Sequence, residues 1–122
     1  MKLGAFSLSL NVKDIHKSFE FYQKLGFTQI GGQIDQFWVI LKNGDAVIGL
    51  FQDIIDQNTL TFNPGWSQEG IPVNPFDDVR AIKEVLVKAQ LEIESFISKE
   101  EGPGYLILKD PDGNPILIDQ HR

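Results

Sequence analysis

The sequence predicts an α+β fold built from two tandem βαβββ modules. Two observations support this: the order strand, helix, three strands occurs twice, and apolar residues make up 42% of the chain, enough to build a core. At 122 residues the chain is close to the usual size of one domain. We therefore expect a single domain over 1–122, with module one at about 1–52, a connector at about 53–68 and module two at about 69–122.

The first module begins with a strand in which apolar and small polar residues alternate from Phe6 to Val12. Asp14 is placed to cap a helix that runs to about Leu25, and Gly26 is typical of the residue that ends a helix. Further strands are predicted at 27–30, 37–41 and 46–52, with turns at Gly31-Gly32 and Asn43-Gly44.

The second module repeats this order after a connector. Residues 53–68 lack a sustained period and contain Asn63-Pro64-Gly65, which is typical of a loop. The prediction then places a strand at 70–74, a helix capped by Asp77 or Asp78, and strands at 91–97, 105–109 and 114–119. The last two strands form a hairpin, because Asp112, Gly113 and Asn114 tolerate positive φ.

Composition excludes several classes of function. The net charge of −6 disfavours binding to nucleic acids and to anionic membrane surfaces. The absence of cysteine excludes disulfides, thiolate metal sites and a cysteine nucleophile. No apolar run is long enough for a secretion signal or a membrane span, so we expect a cytoplasmic protein without nucleic-acid or membrane partners.

Several short motifs, in this order, resemble those of the vicinal oxygen chelate superfamily: Leu10-Asn11-Val12-Lys13-Asp14, Ser18-Phe19, Phe21-Tyr22, Leu25-Gly26-Phe27 and Asp110-Pro111-Asp112-Gly113-Asn114. That superfamily includes glyoxalase I, extradiol dioxygenases, and fosfomycin- and bleomycin-resistance proteins. The resemblance implies a curled mixed sheet that forms a cleft between the modules, with the helices outside, and it implies a homodimer.

In the metalloenzymes of that superfamily, His or Glu residues from the first and fourth strands of each module hold a divalent ion. Counting along this sequence, those positions fall on Ser7, near Gly49, on Ile71 and on Leu117. None of these residues replaces a histidine or a carboxylate as a ligand. We therefore expect no metal site and no cofactor.

Two alternatives remain open at this point. The chain could be a divalent-metal-dependent lyase of the glyoxalase type, or a dioxygenase, that draws displaced ligands from Glu69, Asp119 or His121. Strand alternation places Asp119 and His121 on one face, where they could bind metal or act as acid and base. Against this, a pair so close to the C-terminus could simply be frayed and solvated.

The ligand-binding cleft is predicted to be lined by small polar, apolar and aromatic side chains: Ser7, Ser9, Trp38, Val47, Gly49, Phe51, Phe62, Trp66, Tyr105 and Leu117. Such walls suit a small apolar or aromatic ligand that is bound by burial and stacking. The sequence thus predicts a metal-independent small-molecule-binding protein without catalytic residues. The alternative is an interaction module in which these side chains fill the sheet interior or a dimer contact.

Overall fold

The computed structural model describes all 122 residues, and the chain divides into two compact units. The N-terminal unit comprises Ser7–Thr59, and the C-terminal unit comprises Met1–Phe6 and Leu60–Arg122. Each unit contains one helix and four strands in the order that the sequence predicts. The unit boundaries fall inside β1 and β5, so a few residues of these two strands belong to the other unit. The α+β class and the duplicated βαβββ order are therefore confirmed.

The N-terminal unit is formed by β1 (Ala5–Asn11), α1 (Ile15–Lys24), β2 (Thr28–Gln33), β3 (Trp38–Asn43) and β4 (Ala46–Phe51). The order of these strands across the sheet is β2-β3-β4-β1. Strand β1 runs parallel to β4, whereas the other neighbouring pairs are antiparallel.

The C-terminal unit is formed by β5 (Thr59–Asn63), α2 (Val79–Lys88), β6 (Ser95–Ser98), β7 (Gly104–Lys109) and β8 (Pro115–Gln120). Its strand order is β5-β8-β7-β6, which corresponds to the N-terminal order read from its first strand, β1-β4-β3-β2. Strand β5 runs parallel to β8, and the two remaining pairs are antiparallel.

Each helix packs its apolar stripe on one face of its own sheet. In the N-terminal unit, Ile15 is buried among residues of β3 and β4: Val39, Leu41 and Leu50. In the C-terminal unit, three residues of α2 are buried against β7 and β8: Val79, Ile82 and Leu86. Burying such a side chain stabilises the fold by about 1.5–3 kcal/mol. Neither helix has the length and apolar content that a membrane span requires.

Both helices begin at an aspartate. Asp14 accepts hydrogen bonds from the backbone N–H groups of His16 and Lys17, at 3.1 and 3.2 Å. Asp78, rather than Asp77, caps α2 and accepts from the backbone N–H of Arg80 at 2.9 Å. The predicted caps are confirmed, and the choice between Asp77 and Asp78 is settled.

A glutamine at the end of the fourth strand completes each cap. The Gln52 side-chain oxygen accepts from the N–H of Ile15 at 2.9 Å, and that of Gln120 accepts from the N–H of Val79 at 2.7 Å. Gln120 is only 1% exposed, and its Nε2 lies within 3.1 Å of oxygens of Asp78, Gly102 and Arg122. These bonds tie the first turn of each helix to the last strand of its unit.

The predicted turn at Gly31-Gly32 is wrong, because both residues lie in β2, next to a register shift between Gln29 and Gly31. Gly32 has φ +85°, and a Cβ there would lie 2.7 Å from the carbonyl oxygen of Trp38. This glycine permits a close approach to β3 rather than a reversal of the chain. The chain instead reverses at residues 34–37, where Phe37 adopts φ 66°.

The predicted connector at 53–68 contains β5, the first strand of the C-terminal unit. The strand expected at 70–74 is reduced to an isolated bridge between Trp66 and Pro72. The strand predicted at 91–97 is shorter, since β6 begins at Ser95. Thr59–Asn63 does alternate in polarity, but it is short and is stabilised by parallel pairing with a strand distant in sequence.

The hairpin between β7 and β8 is confirmed. Asp110 Oδ1 accepts from the backbone N–H groups of Asp112 and Asn114, each at 2.9 Å, and Gly113 has φ +86°. The hydrogen bond from the Asn114 side-chain amide, together with these backbone bonds, lowers the pKa of the Asp110 carboxyl. The turn that the sequence predicts is thus held by its own first aspartate.

We predict that Gln120→Met lowers the free energy of unfolding by about 1–3 kcal/mol, because it leaves the buried N–H of Val79 without its acceptor. Gln52→Met removes a single bond in a less buried place and should cost less. Urea denaturation measures both.

Gln23→Met is the matched control, since Gln23 is exposed on α1 and should change stability by less than about 0.5 kcal/mol. Equal effects of Gln23→Met and Gln120→Met would contradict the role assigned to the buried amide.

Candidate functional site

In the N-terminal unit, the sheet face opposite α1 carries most of the predicted ligand-binding residues. Ser9 pairs with Gly49 across β1 and β4, and Trp38 pairs with Phe51 across β3 and β4. Because their neighbours along each strand pack against Ile15, alternation places these side chains on the other face. Six predicted residues therefore share this face: Ser7, Ser9, Trp38, Val47, Gly49 and Phe51.

The aromatic residues of this face form a stacked pair. The rings of Trp38 and Phe51 are nearly parallel, at 7°, with centroids 6.4 Å apart. A Cβ at position 49 would lie 2.5 Å from Cε2 of Phe51 and 3.2 Å from Cδ1 of Ile40. The Phe51 ring thus occupies the space in which any side chain at position 49 would begin.

In the C-terminal unit, two predicted residues lie on the sheet face opposite α2. Leu117 pairs with Thr61 on one side and with Ile107 on the other, and Tyr105 pairs with Asp119. Phe62 does not lie on this face. It packs against the α2 cluster, and its ring lies 5.2 Å from that of Phe6. The position of Phe62 does not fit its predicted role as a wall of the ligand site.

Trp66 follows β5 in a loop, and its ring lies 5.9 Å from the imidazole of His121. The Trp66 Nε1 is buried and has no hydrogen-bond partner. This contact was not expected from the sequence, which offers no pattern linking a loop tryptophan to a C-terminal histidine.

The sequence count assigned four residues of this chain to the ligand positions of related metalloenzymes. The strand registers show that one of these four assignments, Ile71, is wrong. Ser7 lies two residues before Ser9, which pairs with Gly49. By the same register, Thr59 lies two residues before Thr61, which pairs with Leu117. The equivalent of Ser7 is therefore Thr59, whereas Ile71 lies in a loop and is 60% exposed. The alternation of Thr59-Leu60-Thr61-Phe62 was the sequence signal for this strand.

The side chains at these four positions do not fit a divalent ion. Ser7 and Thr59 offer neutral hydroxyls, Gly49 has no side chain, and Leu117 is apolar. The protein side chains that hold divalent ions are mainly imidazole, carboxylate, thiolate and amide groups, and none of these four positions carries one. Nowhere in the chain do three or more His, Asp or Glu residues come together as a metal-binding group would require.

The pair Asp119 and His121 does form. Oδ2 of Asp119 lies 3.0 Å from Nε2 of His121, and this hydrogen bond raises the pKa of the imidazole, although partial burial opposes it. The alternative of a frayed C-terminus is wrong. Arg122 donates to the carbonyl oxygens of Gly65 and Val73, at 3.1 and 2.9 Å, and therefore anchors the segment.

Two other candidates stand apart from this pair. Glu69 is exposed in the loop that follows Trp66, and His16 is exposed in the first turn of α1. Neither belongs to a group of metal-ligating side chains.

Comparison with known proteins identifies the family. The family model described as the glyoxalase/bleomycin resistance protein/dioxygenase superfamily matches residues 4–118. The chain belongs to this superfamily, and the resemblance inferred from its motifs is confirmed. No curated protein matches the chain significantly.

Three solved structures share the fold at low sequence identity. A chain described as an NAD-dependent benzaldehyde dehydrogenase from Legionella pneumophila has a TM-score of 0.71 and 18% identity, with 96% of this chain and 99% of that chain covered. A superfamily member from Vibrio splendidus 12B01 has a TM-score of 0.64 and 17% identity, with 94% of this chain and 97% of that chain covered. An uncharacterized protein from Methanosarcina mazei has a TM-score of 0.58 and 19% identity, with 100% of this chain and 95% of that chain covered. At these identities the likeness concerns the fold alone.

We predict that Gly49→Ala costs about 1–3 kcal/mol of stability, because the new methyl group displaces the Phe51 ring from Trp38. The cost should shrink in a Phe51→Leu background, which the four variants of a double-mutant cycle would show in chemical denaturation.

Gly31→Ala serves as the control, since a Cβ there meets Ile40 only at 3.7 Å, an ordinary contact. If the Gly49→Ala protein is as stable as the Gly31→Ala protein and its Trp38 fluorescence is unchanged, the Phe51 ring does not occupy the space beside position 49.

We also predict a pH dependence from His121. Because the folded pKa is raised above its ordinary value of 6.5, the added stability is complete below that value and is lost as the pH rises through the folded pKa. NMR titration of the His121 ring measures the shift directly. Asp119→Asn should return the pKa of His121 towards its ordinary value.

Proposed function

We propose that this chain is a metal-independent small-molecule-binding protein of the glyoxalase and bleomycin-resistance type. Its ligand would be a small apolar or aromatic compound that lies on the sheet faces opposite the helices. Membership of the superfamily supports the scaffold, and the chemistry of these faces supports the ligand class.

The observation that carries the proposal is the position of the Phe51 ring. In metal-binding relatives position 49 is expected to carry a ligand, whereas here the Phe51 ring lies where its Cβ would be and stacks on Trp38. The change is therefore more than the deletion of one ligand. An aromatic surface lies where a carboxylate would reach towards an ion.

This surface suits a flat ligand. A ring placed against a stacked aromatic pair gains about 0.5–1.5 kcal/mol beyond the burial of its apolar area. Ser7 lies on the same face, and its hydroxyl group can donate a hydrogen bond to a polar substituent or accept one from it. Val47, also on this face, adds apolar contact without charge. A small aromatic compound with one polar group meets these conditions.

A second candidate function is a metal-dependent lyase or dioxygenase that uses displaced ligands. The close approach of Asp119 and His121 favours it, because imidazole and carboxylate are both metal ligands. Two protein ligands are fewer than the three or four that zinc sites in enzymes use. Metal analysis after purification without chelators, with Ni²⁺, Zn²⁺, Mn²⁺ and Fe²⁺ offered in turn, separates the two functions. Tight stoichiometric uptake of any of these ions would overturn the metal-independent function.

We further propose that the protein acts in the cytoplasm as a homodimer, as its family resemblance and its lack of cysteine suggest. Light scattering on the purified protein would reveal a monomer if the dimer proposal is wrong.

We predict that Trp38→Leu weakens the binding of aromatic compounds by about tenfold, because one ring of the stacked pair is lost. A library of small aromatic compounds would first be screened for a rise in the melting temperature of the unaltered protein, and isothermal titration would then give affinities for both proteins.

Phe21→Leu is the matched control, since it also removes an aromatic ring from the N-terminal unit, but from an exposed position on α1. If no compound in the library raises the melting temperature, or if Phe21→Leu weakens binding as much as Trp38→Leu, the proposed binding face is wrong.

A further inference from the structure

A cavity of about 590 Å³ lies on the C-terminal unit beside the end of β8. Its floor is formed by three neighbouring residues on adjacent strands. Ile97 of β6 pairs with Tyr105 of β7, and Tyr105 pairs with Asp119 of β8. Lys99 and Glu101, from the loop between β6 and β7, and His121 complete its polar lining. All residues that line this cavity belong to the C-terminal unit.

The hydrogen bond between Asp119 and His121 fixes which imidazole nitrogen can act on a ligand. A carboxylate only accepts hydrogen bonds, so Nε2, which lies 3.0 Å from Asp119, carries a hydrogen atom. In neutral His121 the lone pair is therefore on Nδ1. The ring of Trp66 lies against the imidazole and restricts its orientation. The same hydrogen bond makes His121 a stronger base, since it raises the pKa of the ring.

Two other polar groups of the cavity, those of Tyr105 and Lys99, are available to a ligand. The hydroxyl group of Tyr105 and the ammonium group of Lys99 form no hydrogen bond or ion pair with other side chains of the protein. Both can donate to an oxygen atom that carries negative charge. Glu101 and Asp119 contribute negative charge, which disfavours a ligand that is already an anion when it enters.

We propose that this cavity binds a small, weakly acidic hydroxyl compound, a phenol or an enol, which donates its O–H to Nδ1 of His121. When the proton transfers, the O–H bond of the ligand breaks and an N–H bond forms on Nδ1. The electron pair remains on the ligand oxygen, which then faces Lys99 and Tyr105. Asp119 balances the charge of the imidazolium, and the reverse transfer restores the starting state without any further reactant.

Other ligand classes fit the cavity less well. A carboxylic acid is ionised at neutral pH, has no proton to give, and would meet the charges of Glu101 and Asp119. A simple alcohol is too weak an acid to transfer its proton to an imidazole. Ile97 and Pro103 line the cavity and provide apolar contact for a carbon skeleton. A weakly acidic hydroxyl on a flat apolar frame is neutral when it enters, can give its proton to the imidazole, and makes apolar contact with Ile97 and Pro103.

The test uses 4-nitrophenol, because its phenolate form has a visible absorption band that the neutral form lacks. Protein is added at the pKa of the free phenol, where half of the free probe is neutral and less of His121 is protonated than at lower pH. We expect a saturable increase in the phenolate band, because the bound probe gives its proton to His121. 4-Nitroanisole has the same ring without the proton and should need about a tenfold higher concentration than a competing phenol to displace the bound phenolate.

Variants assign the effect to the cavity. His121→Gln should abolish the increase in the phenolate band, and Asp119→Asn should reduce it, whereas His16→Gln replaces the other histidine of the chain and should leave it unchanged. If His121→Gln proves unstable, the NMR signal of the His121 ring in the unaltered protein should shift on addition of the probe while that of His16 does not.

Several outcomes would overturn the proposal: no saturable change, displacement of the bound phenolate by 4-nitroanisole as readily as by a phenol, or an unchanged phenolate band in the His121→Gln protein. The proposed function is tested separately, because Trp38→Leu should affect the aromatic ligands of the N-terminal unit and not the phenolate band. Loss of the phenolate band in the Trp38→Leu protein alone would place the probe on the other face.

Discussion

Each half of this chain depends on one contact, in which a glutamine side chain from the fourth strand accepts the first free N–H of the helix. Gln52 does this for Ile15, and Gln120 does it for Val79. A helix packed only through apolar contacts could slide or rotate on its sheet, because such contacts have little directionality. The directed hydrogen bond fixes the register of helix on sheet, and the apolar side chains then find a single arrangement.

In the C-terminal unit this contact extends into a network. Burial opposes ionisation of Asp78, but hydrogen bonds from Arg80 and Gln120 outweigh it and lower the pKa of the carboxyl group. Arg80 also donates to Ser98 and to the carbonyl oxygen of Gly102. The helix cap, the loop between β6 and β7 and the end of β8 are thus joined around buried polar groups, which explains why the C-terminal residues are ordered.

Local chemistry explains what the sequence predicted well. Aspartate caps, the glycine that ends α1 and the turn at Asp110 depend on neighbouring residues, and all were recognised. Strand β5 was missed because only pairing with β8, far along the chain, stabilises so short a segment. The lack of metal ligands at Ser7, Gly49 and Leu117 could be read from the sequence, whereas the overlap of the Phe51 ring with position 49 depends on packing that no single sequence displays.

The relation between Gly49 and Phe51 also restricts the evolutionary history open to this protein. A mutation that placed glutamate at position 49 would meet the Phe51 ring before it could reach an ion. A metal-binding descendant would therefore have to displace or lose the Phe51 ring, and with it the stacked pair, before the site holds a full set of ligands. Selection would act against that loss wherever the stacked pair is useful, so single substitutions alone offer no direct return to metal binding.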